Sequence, residues 1–355
     1  MIRQERANWP GFPSGAECAD ISPPESKAFH VICERDVGLF SLIQQVVANV
    51  TWAIQESRIP VVYFQDKTCY WTAKGYCGRD TVWEYYFEPV VRAYSASSIP
   101  EHVREVIRRQ PPSPFDLGYF ADECTFVSSH FGDHPALAGK ALSIPYLLDD
   151  PGPELRRRAA EIIRQYVRPR HYIMERVTRF FQHHMGQNYL IGVHVRGTDA
   201  ISPQEVRPHR QGSLNLGKYV EVIRHLLLEQ PTAQIFVATD SEASLHFLQN
   251  AFPGRVLACE AIRHQTGEAA AQGPTGWIMP AYFATDRDRA ARNGEDAVVE
   301  YLLLSRCDFL VHNASSLART VLLKVPGLPH VNTHPQVGRN RDAICEPGTR
   351  RTGEG

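Results

Sequence analysis

Apolar positions along this chain fall into short continuous runs and longer stretches with helical spacing. Phe29-His30-Val31-Ile32-Cys33 is a short strand-like run, followed by Gly38. From Leu39 to Ser57 the apolar positions Leu42, Val46, Val47, Val50 and Ile54 recur on one helical face. Pro60 closes that helix, and Val61-Val62-Tyr63-Phe64 reads as the next strand. Strand, glycine turn, helix, strand is a βαβ unit. The second half is cleaner. Tyr189–Val195, Gln234–Thr239 and Asp308–His312 are continuous apolar strands. They alternate with helical patterns over Leu216–Glu229, Ser241–Ala251, Asp296–Ser305 and Ser315–Lys324. This alternation predicts parallel, doubly wound α/β sheets. Two such halves in sequence predict two Rossmann-like domains facing a cleft.

The remaining stretches set boundaries. Residues 1–28 are polar and rich in Pro and Gly, and read as a loose N-terminal arm. An aromatic cluster spans residues 66–94 and reads mostly as core. A basic helical pattern runs from Glu154 to Met185, with a break expected near Pro169, and the inter-domain connection is placed there. The domains are therefore drawn at 29–185, on the acceptor side, and 186–335, on the donor side, with a flexible tail at 336–355.

The formal net charge is −1, which gives no generic attraction to nucleic acid, so any phosphate must be held by a few placed groups. The eight cysteines have no paired-ligand spacing and read as free thiols. No run is long or apolar enough to span a bilayer, and the first residues lack a secretory pattern. The expectation is a soluble, cytoplasmic protein. Asn49-Val50-Thr51 and Asn313-Ala314-Ser315 fit the glycosylation pattern but lie in apolar surroundings, and read as coincidence. His130-Phe131-Gly132-Asp133-His134 reads as a solvated loop rather than a metal site.

In open α/β sheets, ligands bind outside the carboxyl ends of the strands. Three predicted strand ends carry suitable groups: His194-Val195-Arg196-Gly197-Thr198-Asp199, Thr239-Asp240, and Asn313-Ala314-Ser315-Ser316. Helix N-termini attract phosphate through unpaired N–H groups and the helix dipole. An arginine fork grips two phosphate oxygens at once. Each piece has a plainer reading. Asp240, Ser241, Ser315 and Ser316 taken singly read better as helix caps. His194 is equally a core histidine, and Arg196 could pair with Asp199. Convergence on one sheet edge favours an anion site.

In this order and spacing, "IGVHVRGTD", "IFVATDSEASLHFLQNAFP" and "EYLLLSRCDFLVHNASSLAR" resemble three motifs of the core α1,6-fucosyltransferases and rhizobial nodulation fucosyltransferases. "GLFSLIQQVVANVTWAIQESRIPVVYF" looks like the first glycine turn and helix of that superfamily, and "TVWEYYFEPV" resembles a segment of its N-terminal domain. The resemblance implies a GT-B-like fold and an inverting glycosyltransferase that uses GDP-fucose without a metal or other cofactor. The implied partners are a nucleotide sugar and a glycan or glycoconjugate acceptor, with no nucleic acid. By position, Arg196 would bind the β-phosphate, and His194 and Glu300 would contact the nucleoside. Thr239 and Asp240 would line the donor site, and Ser315 and Ser316 would hold phosphate. Glu300 sits in the apolar run Ala297–Leu304, where a carboxylate is costly unless paired. Guanine's N1–H and N2–H₂ would match it, as would an arginine such as Arg306 or Arg319. The catalytic set is Arg196 with Asp199 and Glu205 as candidate bases, alongside His209.

The chain departs from the pattern at two places. Gly197 stands where the relatives carry a second basic residue, and Ala200 where the core enzymes have lysine. These positions keep two alternatives open: another nucleotide sugar as donor, or a non-catalytic nucleotide- or glycan-binding protein of the same fold.

Overall fold

Two sheets, one in each half of the chain, carry the architecture. The computed structural model describes residues 28–144, 150–186, 188–197, 214–265, 268, 270–272 and 278–334. The arm and tail expected at 1–28 and 336–355 therefore lie outside the described residues, apart from residue 28.

The first sheet contains β1 (Phe29–Cys33), β2 (Ile59–Tyr63), β3 (Tyr119–Phe120) and β4 (Thr125–Ser128), in the order β2-β1-β4-β3. β1 pairs in parallel with β2 and β4, and only β3 runs antiparallel. Every residue of β1 is buried, His30 included, as expected of a central strand covered on both faces. Helix α1 (Leu39–Gln55) makes the crossover from β1 to β2 and is buried along most of its length. Two shorter helices follow, α2 (Val82–Tyr86) and α3 (Glu101–Arg109). Trp83, Tyr85, Tyr86 and Phe87 are fully buried, so the aromatic cluster is core.

The basic helical stretch is two helices, α4 (Pro153–Tyr166) and α5 (His171–Phe180), with a π-helical turn at Phe181–Met185. The interruption spans Pro169, which cannot donate to a helix. There the chain pairs with α2 instead: the Arg170 N–H donates to the Tyr86 carbonyl at 2.9 Å, and the Glu88 N–H to that of Arg168 at 2.8 Å.

The second sheet holds β5 (Leu190–Val195), β6 (Gln234–Thr239), β7 (Val256–Leu257), β10 (Phe309–Asn313) and β11 (His330–His334), all parallel. Their order is β11-β10-β5-β6-β7. A separate antiparallel pair, β8 (Ala270–Gln272) with β9 (Ile278–Pro280), stands apart. The helices are α6 (Leu216–Glu229), α7 (Glu242–Ala251), the short α8 (Tyr282–Thr285), α9 (Arg287–Leu304) and α10 (Ser316–Lys324). α9 starts at Arg287 rather than at Asp296, because its first turns are polar and Asp286 caps it by accepting from the Arg289 N–H at 3.0 Å.

One apolar core runs through both halves, from α1 and α2 across α4 and α5 into α9 and α10. Gly294 lets α9 approach the aromatic cluster. Tyr86 Oη donates to the Ala291 carbonyl at 2.7 Å, and a Cβ on Gly294 would lie 2.3 Å from the Tyr86 oxygen. Polar bonds reinforce the contact. Arg176 pairs with Glu295 and Asp296, and Tyr76 Oη donates to Glu295 at 2.6 Å. Asn49 and Asn313 are buried, which closes both glycosylation patterns to modification in the fold.

Candidate functional site

The strand order puts the three chemistry-bearing strand ends side by side. From β5 the chain winds through α6 to β6 and through α7 to β7, while β10 and β11 lie on the other side of β5. The switch point, where an open sheet leaves a crevice at its carboxyl edge, therefore falls between β5 and β10. Arg196 and Asn313 flank it.

These two residues are joined reciprocally. The Arg196 N–H donates to Asn313 Oδ1 at 2.9 Å, and Asn313 Nδ2 donates to the Arg196 carbonyl at 3.1 Å. On the β6 side, the Gly197 N–H donates to Asp240 Oδ1 at 2.6 Å, and Arg196 Nε lies 3.5 Å from Asp240 Oδ2. Arg196 and Asp240 are partly exposed, so the cation reaches the crevice while its backbone is fixed from both sides.

The serines divide as helix geometry dictates. Ser241 and Ser315 are N-caps, accepting from the Ser244 and Ala318 N–H groups at 3.3 and 3.0 Å. Thr239 is buried, and its Oγ1 accepts from the Ser241 N–H at 3.2 Å, so it braces the turn. Ser316, the first residue of α10, meets Ser41 of α1 with the two hydroxyls 2.8 Å apart. Gln44 Nε2 donates to the Ser316 carbonyl and to Thr320 Oγ1, each at 3.0 Å, and its Oε1 accepts from Arg319 at 3.3 Å. The N-termini of α1 and α10 thus meet, bringing the carboxyl edges of both sheets to one crevice. Beside this contact, Arg35, Ser41, Gln44, Gln45, Phe131 and Ile144 line a small pocket in the first half. Arg35 donates to Gln45 Oε1 at 2.8 Å and lies over the Phe131 ring at 4.9 Å. The sequence reading passed over Arg35, although it follows β1 much as Arg196 follows β5.

His194 is buried, with Nδ1 3.2 Å from the Ala238 carbonyl. Burial, reinforced by the Arg196 charge, lowers its pKa to about 3. The imidazole is neutral, its proton sits on Nδ1, and Nε2 is a buried acceptor with no hydrogen-bond partner among the described residues.

Glu300 is also buried, and its Oε1 accepts from Arg263 Nη2 at 3.2 Å. The carboxyl therefore has a buried arginine beside it, but that arginine is Arg263, not Arg306 or Arg319. Arg306 lies instead over the Phe181 ring, and Arg319 bonds Gln44. Burial drives the Glu300 pKa up to about 8, with the Asp296 and Asp240 charges adding to it and Arg263 opposing. The unliganded carboxyl is therefore largely protonated at neutral pH.

Asp199, Glu205 and His209, with Thr198 and Ala200, lie outside the described residues. His130 is not in a solvated loop: it is buried, and its Nδ1 accepts from the Gly132 N–H at 2.9 Å, which shapes the turn after β4. No helix among the described residues is long and apolar enough to cross a membrane.

No family model matches the chain, and neither does any curated protein. Solved structures do. The fucosyltransferase NodZ from Bradyrhizobium superposes with a TM-score of 0.51 at 17% identity, over 85% of this chain and 94% of that chain. A NodZ α-1,6-fucosyltransferase soaked with GDP-fucose gives a TM-score of 0.48 at 16% identity, over 85% of this chain and 94% of that one. POFUT1 in complex with GDP gives 0.46 at 14% identity, over 86% of this chain and 99% of that one. The first of these likenesses shows the fold: a mixed α/β, GT-B-like architecture of parallel sheets, as the sequence pattern and motif resemblance implied.

Proposed function

We propose that this protein is a glycosyltransferase that moves fucose from GDP-fucose to a hydroxyl of a glycan or glycoconjugate. The observation that carries the reading is Arg196 at the switch point, its backbone and that of Gly197 clamped by Asn313 and Asp240, at the carboxyl edge from which α10 starts and meets α1. It is supported by the ordered motifs and by the fold shared with the Bradyrhizobium fucosyltransferase. Such a crevice suits a group that gains negative charge as a bond breaks.

In the proposed step, the acceptor oxygen attacks the anomeric carbon from the face opposite the diphosphate. The bond from that carbon to the β-phosphate oxygen breaks, and GDP departs with the electron pair. The hydroxyl proton passes to a base, for which Asp199 and Glu205 are the candidates. Attack from the opposite face inverts the anomeric configuration. The leaving diphosphate is neutralised by the Arg196 guanidinium and helix N–H groups, so the step as written draws on no metal. His194, Thr239, Asp240, Glu300, Ser315 and Ser316 complete the donor site, Thr239 and Ser315 by fixing the turns.

One preorganised donor to a developing oxyanion contributes about 3–4 kcal/mol. Arg196→Ala is therefore expected to lower turnover by about two to three orders of magnitude while the melting temperature stays near wild type. Near-normal turnover in that variant would sink the assignment. One observation favours testing a second donor: a Cβ at Gly197 would sit 2.7 Å from Ser241 Cβ, so no second basic side chain fits there. Calorimetry with GDP-fucose, GDP-mannose and UDP-sugars separates the donors.

A further inference from the structure

Asp150, His312 and His330 place three potential metal ligands within 4.8 Å of one another. Their hydrogen bonds point to a different use. His312 Nδ1 lies 3.1 Å from the Asn313 carbonyl, which only accepts, so Nδ1 carries the His312 proton. Arg156 of α4 contacts His330 Nε2 through Nη2, and a guanidinium only donates, so that nitrogen is an acceptor. The His330 proton therefore sits on Nδ1, 3.0 Å from His312 Nε2, which accepts it. Every imidazole nitrogen is matched, and both rings are neutral. A cation shared by His312 Nε2 and His330 Nδ1 would force the His330 proton onto Nε2, against the Arg156 N–H.

The chain ends at the proposed donor site. The β5–β10 ladder stops at the His194–His312 pair, and the register against β11 shifts between His312 and Asn313. Beyond that point the Asn313 side chain replaces the ladder, bonding both the N–H and the carbonyl of Arg196. A side-chain amide is a weaker tether than a strand, so its own backbone must be held. His312 Nδ1 holds the Asn313 carbonyl, and Thr333 Oγ1 holds the His312 carbonyl at 3.1 Å.

We propose that Arg156, His330 and His312 form an oriented hydrogen-bond chain that positions Asn313, and through it the backbone of Arg196, for gripping the diphosphate. This rests on the phosphate-binding role given to Arg196 above. The three are positioning residues and touch no substrate. The groups facing the pair are Arg156 from α4, Asp150 just before it, with Oδ1 3.8 Å from His330 Nδ1, and neutral His194 from β5. Burial lowers both histidine pKa values, that of His312 to about 4, so the chain holds at neutral pH.

The test uses the full chain with ring-labelled histidine. Nitrogen NMR of the wild type is expected to show His312 and His330 neutral at pH 7 and protonated on Nδ1. His330→Leu removes the donor to His312 and is expected to weaken GDP binding about tenfold, as for a small misplacement of a binding group, with little change in melting temperature. His330→Asn, whose amide N–H takes the place of Nδ1–H, should recover most of the affinity. A charged ring, a proton on His330 Nε2, stoichiometric tight Zn²⁺ binding that His330→Leu abolishes, or unchanged GDP affinity in His330→Leu would overturn the proposal. If the wild type fails to bind GDP at all, the proposed function falls, while the ring NMR still decides whether the chain exists.

Discussion

Gly197 shows how one backbone position sets the chemistry available to a site. Its N–H approaches Asp240 Oδ1 to 2.6 Å, and Ser241 fills the space a side chain would need. The absence of a second basic side chain after Arg196 is thus built into the turn, so in the proposed donor site any anion grip would fall to Arg196 and the helix ends. Glu300 yields a prediction at the same scale. Its pKa is raised to about 8 in the unliganded protein, chiefly by burial. If it accepts hydrogens from the guanine edge, as the motif resemblance implies, only the ionised form binds well. Below the raised pKa most molecules must shed a proton on binding. GDP affinity is therefore expected to rise with pH from 6 towards 8 and then level off, by up to about tenfold per unit on the rising limb. Calorimetry in buffers of different ionisation enthalpy should record proton release on binding at pH 7. An affinity indifferent to pH, in both the wild type and Glu300→Gln, would remove Glu300 from the nucleoside site.

At the level of elements, legibility tracked how much each segment reveals by itself. The largely buried strands β1, β5, β6 and β10 and helices α1, α6, α7 and α10 are nearly continuous or strongly periodic in apolar residues, and they lie within a few residues of where the pattern puts them. Their alternation alone implies which strand ends share an edge, and so places Arg196, Asp240 and the start of α10 together. β4 and β11 escaped because Thr125-Phe126-Val127-Ser128 is short and only half apolar and His330-Val331-Asn332-Thr333-His334 is mostly polar, and both become strands through pairing with β1 and β10. Contacts across the chain were illegible for the same reason: Ser41 and Ser316 lie 275 residues apart, and Arg263 and Glu300 37 apart. Gly294 was also silent in the sequence, yet it decides how α9 docks. Alanine there gains about 1 kcal/mol of helix propensity. Against this, its Cβ would press on a buried Tyr86 hydroxyl already bonded to Ala291, an overpacking that costs about 1–3 kcal/mol. The second effect is expected to win, so Gly294→Ala should melt below wild type. Tyr86→Phe in the same chain should recover part of the loss by removing the clashing oxygen, a coupling that a double-mutant cycle measures. Wild-type stability in Gly294→Ala would show that α9 does not sit against Tyr86 as described.

For the molecule as a whole, the question is whether the two sheets unfold separately. Domains joined by polar, hydrated contacts generally move and melt as independent units. Here the contact has the character of an interior. A single apolar cluster takes in α1, α2, α4, α5, α9 and α10, so neither half can open without exposing side chains of the other. The carboxylates and hydroxyl across it are buried: Glu295 and Asp296 would lose the partly exposed Arg176, and Thr320 would lose Gln44. Unpairing a fully buried ion pair costs about 3–5 kcal/mol; the partly exposed Arg176 makes the cost here smaller, but it still penalises a half-open state beyond its lost apolar contacts. One cooperative transition in denaturant is therefore expected. The tryptophans allow a clean check. Of the five, Trp52, Trp71 and Trp83 lie in the first half. With Trp9 and Trp277 changed to Phe, fluorescence reports the first half alone, whereas far-ultraviolet circular dichroism reports both. The two curves should coincide. Saturating GDP, if it binds at the second sheet's edge, should shift both by the same amount, because a ligand of the native state stabilises the whole cooperative unit. Separated midpoints, or a GDP shift confined to the dichroism curve, would mean that the shared core does not couple the halves.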